Sequence, residues 1–345
     1  MNALNLCKIV RLDAPGEVRA AALNAEGQAC ELFQERWSGV GAPARAGSVH
    51  DARLRAFTDS IGGAFLELDS GEETFLRLKT RGELTEGARL TVQIASEARA
   101  DKLARVIQVD AEATPVEAWS TWCAQCARGG TLPIEHDADR VEAAFDEALA
   151  PSVTLPGGGQ LHIDRTRALT AIDIDTSGRV QKGSAGARAL SLNQVAIRAA
   201  ARQVRLRGLG GNLVLDCIDP VNKAAGEKIQ AAAIQAFENL GYSGVKVLRP
   251  SPLGLLELSV PWREAPLADR LNANPGETEL LDLFRTVQRE AMANPTALYR
   301  LALSKSARHA YLDRRSEADT ALNDAFGGRV SVSDTEAEAS KVEKR

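Results

Sequence analysis

The sequence lacks several features that would assign it to a special class of protein. It has no apolar run long enough to cross a membrane and no charged amino-terminal region followed by an apolar stretch, so we expect a cytoplasmic protein without a membrane partner. Its five cysteines are odd in number and scattered, which argues against a disulfide framework. The formal net charge of −4 argues against an overall basic coat for nucleic acid but leaves room for a local basic patch. The remaining composition is that of a globular protein of 345 residues, enough for about two or three domains.

The amino-terminal part of the chain is predicted to be rich in β-strands. Glu17–Leu23 and Ala29–Gln34 are predicted to form a hairpin, because Glu-Gly supplies turn chemistry between two apolar runs. Four further short runs predict a small closed barrel: His50–Phe57, Gly63–Leu68, Thr74–Leu78 and Arg89–Ile94. Within this barrel Phe65 and Phe75 can share a face, as do the base-stacking aromatics of OB-type barrels. Two buried core phenylalanines are the alternative, which residue statistics alone favour.

Residues 111–159 are the least regular part and are interpreted as a connector that contains one short helix, Asp137–Ala150. Cys123 and Cys126 form a CxxC pair ahead of that helix, which is half of a tetrahedral zinc site. His136 is a weak candidate for a further ligand. Because no complete ligand set is present, we favour two reduced thiols packed beside tryptophans over a zinc site.

From residue 160 the pattern changes to alternating strands and helices. The predicted strands are Leu161–Ile163, Ala168–Ile172, Asn212–Cys217, Val245–Leu248 and Leu253–Ser259, and the predicted helices are Leu190–Leu209 and Asn222–Leu240. A right-handed βαβ crossover would place two strand ends side by side, so that Asp173 and Asp216 converge on one Mg²⁺. Strand-end aspartates that serve only as turn residues are an equally weighted alternative.

The predicted helix before Asp216 carries a basic stripe. Arg198, Arg202 and Arg205 fall at helical spacing on one face, and Arg207 is nearby. This stripe is interpreted as a surface for a phosphate backbone, and a solvated helix face is the alternative.

Three segments together resemble the catalytic core of the ribonuclease E/G family: GGGQLHIDRTRALTAID (157–173), RQVRLRGLGG (202–211) and VLDCID (214–219). LGLLELS (253–259) is similar to that family's following strand. The resemblance implies that Asp173 and Asp216 bind the catalytic Mg²⁺. It also implies that Phe65 and Phe75 stack bases and that Lys102 lies near a basic RNA-contacting position.

The expected fold class is α+β and α/β multidomain, with an S1/OB-type barrel near the amino terminus, a βαβ catalytic core with a mixed sheet, and a small carboxy-terminal α/β domain. The expected divisions are an amino-terminal hairpin or RNase H-like part (1–46), the S1-like barrel (47–110), the connector (111–159), the metal-binding core (160–262), the small domain (263–330) and a disordered, mixed-charge tail (331–345).

Three departures from the family pattern accompany the resemblance. Only the connector stands where the family has its sensor for a 5′-monophosphate, so 5′-end sensing is expected to be absent. The family's CPxC zinc-link is missing between Ser259 and Glu279, and the sequence does not show that Cys123 and Cys126 are a relocated version of it. Asp175 stands where the family usually has Asn, and it shares a strand face with Asp173. Its extra charge would either strengthen metal binding or repel the phosphate.

The resemblance implies an Mg²⁺-dependent endoribonuclease that hydrolyses single-stranded RNA to 5′-phosphate and 3′-hydroxyl ends in RNA processing or decay. Asp173, Asp216 and Asp175 would form the catalytic site, while Arg202, Arg205 and Arg207, and also Lys223 and Lys228, would position phosphates. A non-catalytic RNA-binding protein of the same fold is the alternative, and a scaffolding role through helix Glu279–Met292 is the third hypothesis. A homodimer is a further expectation from the family.

Overall fold

The structure is a computed structural model that describes residues 6–37, 43–78, 80, 82, 84–99, 102–110, 117–177 and 184–345. The strands in these residues are β1 (Leu6–Ala14), β2 (Glu17–Asn24), β3 (Ala29–Arg36), β4 (Val49–Thr58), β5 (Gly63–Leu68), β6 (Glu73–Arg77), β7 (Arg89–Ser96), β8 (Ala104–Gln108), β9 (Ile134–His136), β10 (Ser152–Thr154), β11 (Gln160–Arg165), β12 (Thr170–Asp175), β13 (Gly211–Asp216), β14 (Lys246–Val247), β15 (Leu255–Val260), β16 (Tyr299–Leu303), β17 (Val330–Glu336) and β18 (Lys341–Lys344). The helices are α1 (Ala118–Ala127), α2 (Ala138–Leu149), α3 (Ala185–Leu206), α4 (Lys223–Asn239), α5 (Leu267–Asn272), α6 (Pro275–Ala293), α7 (Lys305–Asp313) and α8 (Arg315–Phe326). Among these helices, none is both long and apolar enough to cross a membrane. The mixed α+β, multidomain class predicted from the sequence is confirmed.

The amino-terminal sheet has the strand order β3-β2-β1-β9. The predicted hairpin is confirmed as β2 and β3, which pair antiparallel across a turn in which Gly27 has φ +78°. The prediction omitted β1 and β9. Strand β9 pairs in parallel with β1 from more than a hundred residues further along the chain, and no local pattern indicates such a pairing.

The segment interpreted as a connector is part of the core, which corrects that prediction. Helix α2 packs Val141 and Phe145 on one face of the amino-terminal sheet, while α1 packs Trp122 and Cys126 on the other. Prolines and glycines in the loops gave the segment its irregular pattern, but its two helices bury apolar residues on both faces of the sheet. Residues 111–116 of the predicted connector and 1–5 of the predicted first domain lie outside the described residues.

Strands β4 to β8 close into a barrel with the order β4-β5-β6-β8-β7. The predicted small barrel is therefore confirmed, with β8 as a fifth strand that the prediction omitted, and its closure fits an OB-type barrel. Alternate residues such as Leu54, Leu66 and Val92 point into the barrel core. Glu97, which is buried, fixes the barrel to the rest of the protein: its carboxylate accepts hydrogen bonds from the backbone of Ala46 (3.2 Å) and Ala265 (2.9 Å).

The central sheet has six strands in the order β10-β11-β12-β13-β15-β14. Strands β12 and β13 run parallel on either side of α3 in the chain, so the predicted βαβ unit is confirmed. Helices α3 and α4 both pack against the face that carries Ile172 and Leu215. Helix α3 begins at Ala185, earlier than predicted, because the Ser184 hydroxyl caps it. It ends at Leu206 rather than Leu209.

The small carboxy-terminal domain consists of helices α6 to α8 and a three-stranded sheet of order β17-β16-β18. The prediction of a disordered tail was wrong, because residues 330–336 and 341–344 form both outer strands of this sheet. Val330, Val332 and Val342 pack against the domain core. Their short alternation with polar residues was hidden by the mixed charge of the segment as a whole.

Candidate functional site

Asp173 and Asp216 meet on two neighbouring strands of the central sheet. The parallel register pairs Thr170 with Leu213, Ala171 with Val214 and Ile172 with Leu215, so the next step places Asp173 beside Asp216. Neighbouring strands lie about 5 Å apart, and in-register side chains point to the same face. Both aspartates are exposed, on the face opposite the buried isoleucine and leucine. The convergence predicted from the sequence is therefore present in the backbone register.

The loop after β13 holds a further carboxylate at this place. Asn193 of α3, which is fully buried, donates to the Ile218 carbonyl (3.0 Å) and accepts from the Ile218 N–H (2.8 Å). A Cβ on Gly254 would lie 3.9 Å from Oδ1 of both Asp216 and Asp219, so these two carboxylates flank one glycine. Asn193 thus fixes the loop that carries Asp219, the last residue of the VLDCID segment.

Asp175 ends β12 and organises the turn that follows. Its Oδ1 accepts hydrogen bonds from the Ser177 hydroxyl (2.6 Å) and the Ser177 N–H (2.8 Å). These bonds, the hydroxyl first, hold the pKa of the Asp175 carboxyl below its usual range. Asp175 therefore stays ionised at neutral pH, on the same strand face as Asp173.

The donor chemistry of this carboxylate group fits a hard cation. Mg²⁺ in proteins is often held by only one or two carboxylates, with waters and substrate phosphates completing the octahedron. Within the described ranges, no group of three or more His, Cys, Asp or Glu side chains is placed to hold a metal ion. Asp173 and Asp216 fit a site completed by water and substrate, and do not fit a fully protein-made cage.

The same sheet face carries polar residues that the sequence prediction did not include. Antiparallel pairing of β11 with β12 places His162 opposite Asp173 and Gln160 opposite Asp175. Glu257 of β15 lies opposite Val214 of β13. The alternation of β11, with Leu161 and Ile163 buried, was the available signal for His162, because it assigns the intervening histidine to the other face.

Phe65 and Phe75 form a cross-strand pair on the outside of the barrel. They are opposite each other in the β5–β6 register, with ring centroids 5.7 Å apart in an edge-to-face arrangement. Phe65 is 37% exposed, so the alternative of two buried core phenylalanines does not hold for it. A Cβ on Gly63 would lie 2.4 Å from the Phe75 ring, so a glycine is needed there. Arg105 on β8 is exposed and stands next to Phe75 in register.

Lys102 lines a basic cavity of about 740 Å³ between the barrel and the central sheet. Arg99, Arg165 and Arg167 also contribute to its wall, against a single acidic residue, Asp269. Arg165 makes a bidentate pair with Asp269 at 2.6 and 2.7 Å. The cavity lies at the end of the sheet where β12 and β13 begin, whereas Asp173 and Asp216 lie near their other ends.

Trp262 is held in this cavity by two glycines and an arginine. A Cβ on Gly210 would lie 2.8 Å from the indole ring, and one on Gly211 3.2 Å from its Nε1. The Arg99 guanidinium lies over the ring at 4.5 Å from the centroid. The Gly210-Gly211 pair therefore allows the Trp262 ring to lie directly on the backbone.

The predicted phosphate surface of Arg202, Arg205 and Arg207 is corrected by the structure. Arg205 and Arg207 are buried, and Arg202 is partly buried. Arg205 pairs with Glu31, and Arg202 pairs with Glu147 and donates to the Ala29 carbonyl at 2.8 Å. Arg207 donates to Gln203 (2.8 Å). This side of α3 faces the amino-terminal layer rather than solvent, so the arginines join two layers of the protein.

Cys123 and Cys126 pack in the apolar cluster under the amino-terminal sheet. Cys126 is 3% exposed and clusters with Trp122 and Phe33. Burial raises the pKa of both thiols, which disfavours the thiolate that zinc requires. His136 contacts Asp13 instead (Nδ1–Oδ2 3.4 Å). The placement supports the interpretation favoured from the sequence, in which both thiols pack beside tryptophans.

Together these elements define a multidomain protein with an OB-type barrel and a carboxylate-bearing α/β sheet. The sequence profile of the ribonuclease E/G family matches residues 80–261, from the barrel strands β7 and β8 to the last residues of the central sheet. The match covers more than half of the chain, and the protein belongs to this family.

Curated relatives carry the same family names. Ribonuclease E of Escherichia coli (strain K12) is 37% identical over 124 residues, which are 35% of this chain and 11% of that protein. Ribonuclease G of Salmonella typhimurium (strain SL1344) is 33% identical over 193 residues, 53% of this chain and 38% of that protein. A putative ribonuclease E of Buchnera aphidicola subsp. Baizongia pistaciae is 36% identical over 135 residues, 39% of this chain and 32% of that protein. The matched part is well under half of each relative's length.

Proposed function

We propose that this protein is an endoribonuclease that hydrolyses single-stranded RNA in RNA processing or decay. The observation that carries the proposal is the β12–β13 register, which brings Asp173 and Asp216 together on an exposed sheet face. Membership of the ribonuclease E/G family supports it, as does the presence of ribonucleases E and G among the relatives.

Asp173 and Asp216 would hold Mg²⁺ through carboxylate oxygens, with water in the other positions. When bound, the ion would neutralise charge on the scissile phosphate and lower the pKa of the attacking water, leaving 5′-phosphate and 3′-hydroxyl ends. Asp219 and Asp175 add negative charge beside this pair, and Ser177 fixes the orientation of the Asp175 carboxylate. Asn193 would hold the Asp219 loop in place through its two hydrogen bonds to Ile218.

The RNA would follow the line from the barrel to the central sheet. Phe65 and Phe75 would stack unpaired bases, and Arg105 next to them would pair with a phosphate. Lys102 lies only three residues before Arg105, about 10 Å along the chain. The basic cavity, which both Lys102 and Arg167 line, would then lead the RNA to the first residues of β12. Stacking and backbone contacts read no base strongly, so specificity would be loose.

The proposed enzyme acts without sensing the RNA 5′ end. The described elements between the barrel and the central sheet are α1, β9 and α2: the two helices use their apolar side chains to cover the amino-terminal sheet, and β9 is its edge strand. Two RNAs that differ only in a 5′-monophosphate or 5′-hydroxyl should be cleaved at equal rates. A strong preference for the monophosphate would refute this part of the proposal.

The central test is the substitution of each paired aspartate by asparagine. With purified protein, Mg²⁺ and a labelled unstructured RNA, Asp173→Asn and Asp216→Asn should each reduce the cleavage rate by about 10²–10³-fold, because several kcal/mol of charge stabilisation are lost. RNA affinity in a gel shift should change little. Asp164→Asn is the matched control, because Asp164 is exposed on the same sheet face beside Ala171.

Two results would overturn the proposal. Cleavage that persists in both variants would remove the paired carboxylates from the mechanism. RNA retention by the wild-type protein without cleavage in Mg²⁺, Mn²⁺ or another divalent ion would identify a non-catalytic RNA-binding protein with this fold.

A further inference from the structure

A second cavity lies away from the carboxylate site, where three parts of the protein meet, and it shares Arg99 and Asp269 of its wall with the basic cavity. It has a volume of about 310 Å³ and is lined by the end of β3, by the chain entering and leaving the barrel, and by α5 and the start of α6. This volume is at the low end of the range for small-molecule sites. Trp37 and several alanines supply apolar wall, and five arginines face four acidic residues.

Most of the charge in this wall is already neutralised. Arg36 pairs with Glu17 (3.2 Å) and Glu277 (3.1 Å), and Arg45 pairs with Glu97 (3.2 Å). Each of these guanidinium groups therefore has a carboxylate partner. Because the wall contains five arginines and four acidic residues, it has one more positive charge than negative charges.

Arg270 of α5 is the source of that surplus. Its Nε and Nη1 are buried and have no hydrogen-bond partner among the described residues. Burial, and then the nearby charges of Arg45 and Arg36, lower the pKa of Arg270 to about 10 against the opposing charges of Glu97 and Glu264, so it remains a cation at neutral pH. A buried cation with unmade hydrogen bonds is costly, and native proteins usually satisfy such groups.

We propose that this cavity binds a small oxyanion of the phosphate class and that Arg270 is its principal ligand. A guanidinium presents planar N–H groups that match phosphate oxygens, and a phosphate would satisfy the buried donors and offset the repulsion from Arg36 and Arg45. The volume and the Trp37 wall leave space for a small organic body attached to the phosphate. The proposal does not depend on the ribonuclease activity, because the ligands lie outside the carboxylate group and the Phe65–Phe75 pair.

The first experiment measures the melting temperature of the full chain against inorganic phosphate, with sodium chloride at matched ionic strength as the reference. The wild-type protein should show a saturable rise, because a ligand that binds only the folded state stabilises it. Titration calorimetry with phosphate, and then with adenosine 5′-monophosphate, separates a bare anion site from one that also accepts an organic body. A melting temperature that rises no more with phosphate than with chloride would overturn the proposal.

Arg270→Met removes the charge and keeps an apolar stem. It should abolish the saturable phosphate effect and leave the ligand-free protein as stable as the wild type or more so, because an unsatisfied buried cation is gone. Arg315→Met, at an exposed arginine of α8, is the control and should keep the phosphate effect. Unchanged phosphate binding in Arg270→Met would contradict the assignment.

If Arg270→Met fails to fold, Ala273→Phe keeps the test decisive. Ala273 is an exposed residue of the cavity wall, and a ring there would obstruct the opening while Arg270 stays in place. The variant should weaken phosphate binding at least tenfold. Full affinity would show that phosphate binds elsewhere.

Discussion

Arg205 and Glu31 form a buried ion pair that joins α3 to the amino-terminal sheet. Arg205 also lies over the Tyr242 ring, 5.5 Å from the centroid. The helix that leads into the Asp216 strand is therefore held from both sides, by the central sheet on one and by β3 on the other. The charge that looked like an RNA surface is part of the packing that positions the site.

Arg205→Ala should lower the free energy of unfolding by about 3–5 kcal/mol, because it leaves Glu31 buried without its partner. Urea denaturation measures this change. The double variant Arg205→Met/Glu31→Met should recover much of the loss, since no lone charge remains. Arg198→Ala, at an exposed position of the same helix, is the control and should change stability little. A large loss of RNA affinity with unchanged stability would contradict the structural role.

Substitution of the barrel aromatics should weaken RNA binding without loss of the fold. Phe65→Ala and Phe75→Ala should each cost about 1–3 kcal/mol of binding free energy, the usual contribution of one base stacked on an aromatic ring. Fluorescence anisotropy with a short unstructured RNA measures the change. Ile107→Ala, at an exposed apolar residue of the same barrel, provides the control. Equal affinities for all three variants would exclude this face as the binding surface.

Arg167 in the basic cavity should contribute to the salt dependence of RNA binding. Loss of one phosphate contact in Arg167→Ala should reduce the slope of log K against log salt concentration by about 0.7, the value for single-stranded nucleic acid. The control is Arg140→Ala, which removes an exposed arginine of α2 that pairs with Asp137. Because Arg140 lies away from this cavity, the slope should stay unchanged. The same slope in both variants would place the phosphate contacts elsewhere.

Asp175→Asn tests what the third carboxylate does. Asn can still accept the Ser177 hydrogen bonds, so the turn is kept while one negative charge is removed. We expect a higher Mg²⁺ concentration for half-maximal cleavage, by about threefold to tenfold, and little change in rate at saturating Mg²⁺. Asp175→Ala, which also removes the turn contacts, separates charge from geometry. A lower Mg²⁺ requirement in Asp175→Asn would show that repulsion of the phosphate dominates.

The buried Glu17 predicts a loss of stability in acid. Burial opposes its ionisation, but Arg19, Arg285 and Arg36 outweigh burial and hold its pKa below the usual range. Its contribution is therefore fully present above the unfolded-state pKa of about 4.3 and is lost as the pH falls through the lower folded-state pKa.

Glu17→Gln should be less stable than the wild type at neutral pH, by about 3–5 kcal/mol, and the gap should narrow below about pH 4. Urea denaturation at several pH values measures the gap. Glu67→Gln, at an exposed carboxylate paired with Arg55, should show almost no gap at any pH. A gap for Glu17→Gln that widens in acid would show that the network does not depend on an ionised carboxylate.

Local sequence patterns predicted much of the fold. The alternation of apolar residues indicated β2, β3 and four barrel strands, and the helical spacing together with its capping signals indicated α2, α3 and α4. The position of Asp173 and Asp216 after apolar runs was enough to place both at strand ends, because strand period and the handedness of a βαβ unit are local rules. Strands β1, β9 and β8 were missed, and a short strand such as β9 is indicated by its partner rather than by its own residues.

What the sequence determined by itself is therefore most of the strands and helices around the central sheet, the shared face of Phe65 and Phe75, and the two aspartates at neighbouring strand ends. Only the tertiary structure decided which charges meet solvent. Arg205 and Arg167 are equally basic in the sequence, yet one pairs with Glu31 inside the protein and the other lines an open cavity. The physical reason is that burial depends on which layer packs over a residue, and the layer over Arg205 comes from a strand far away in the chain.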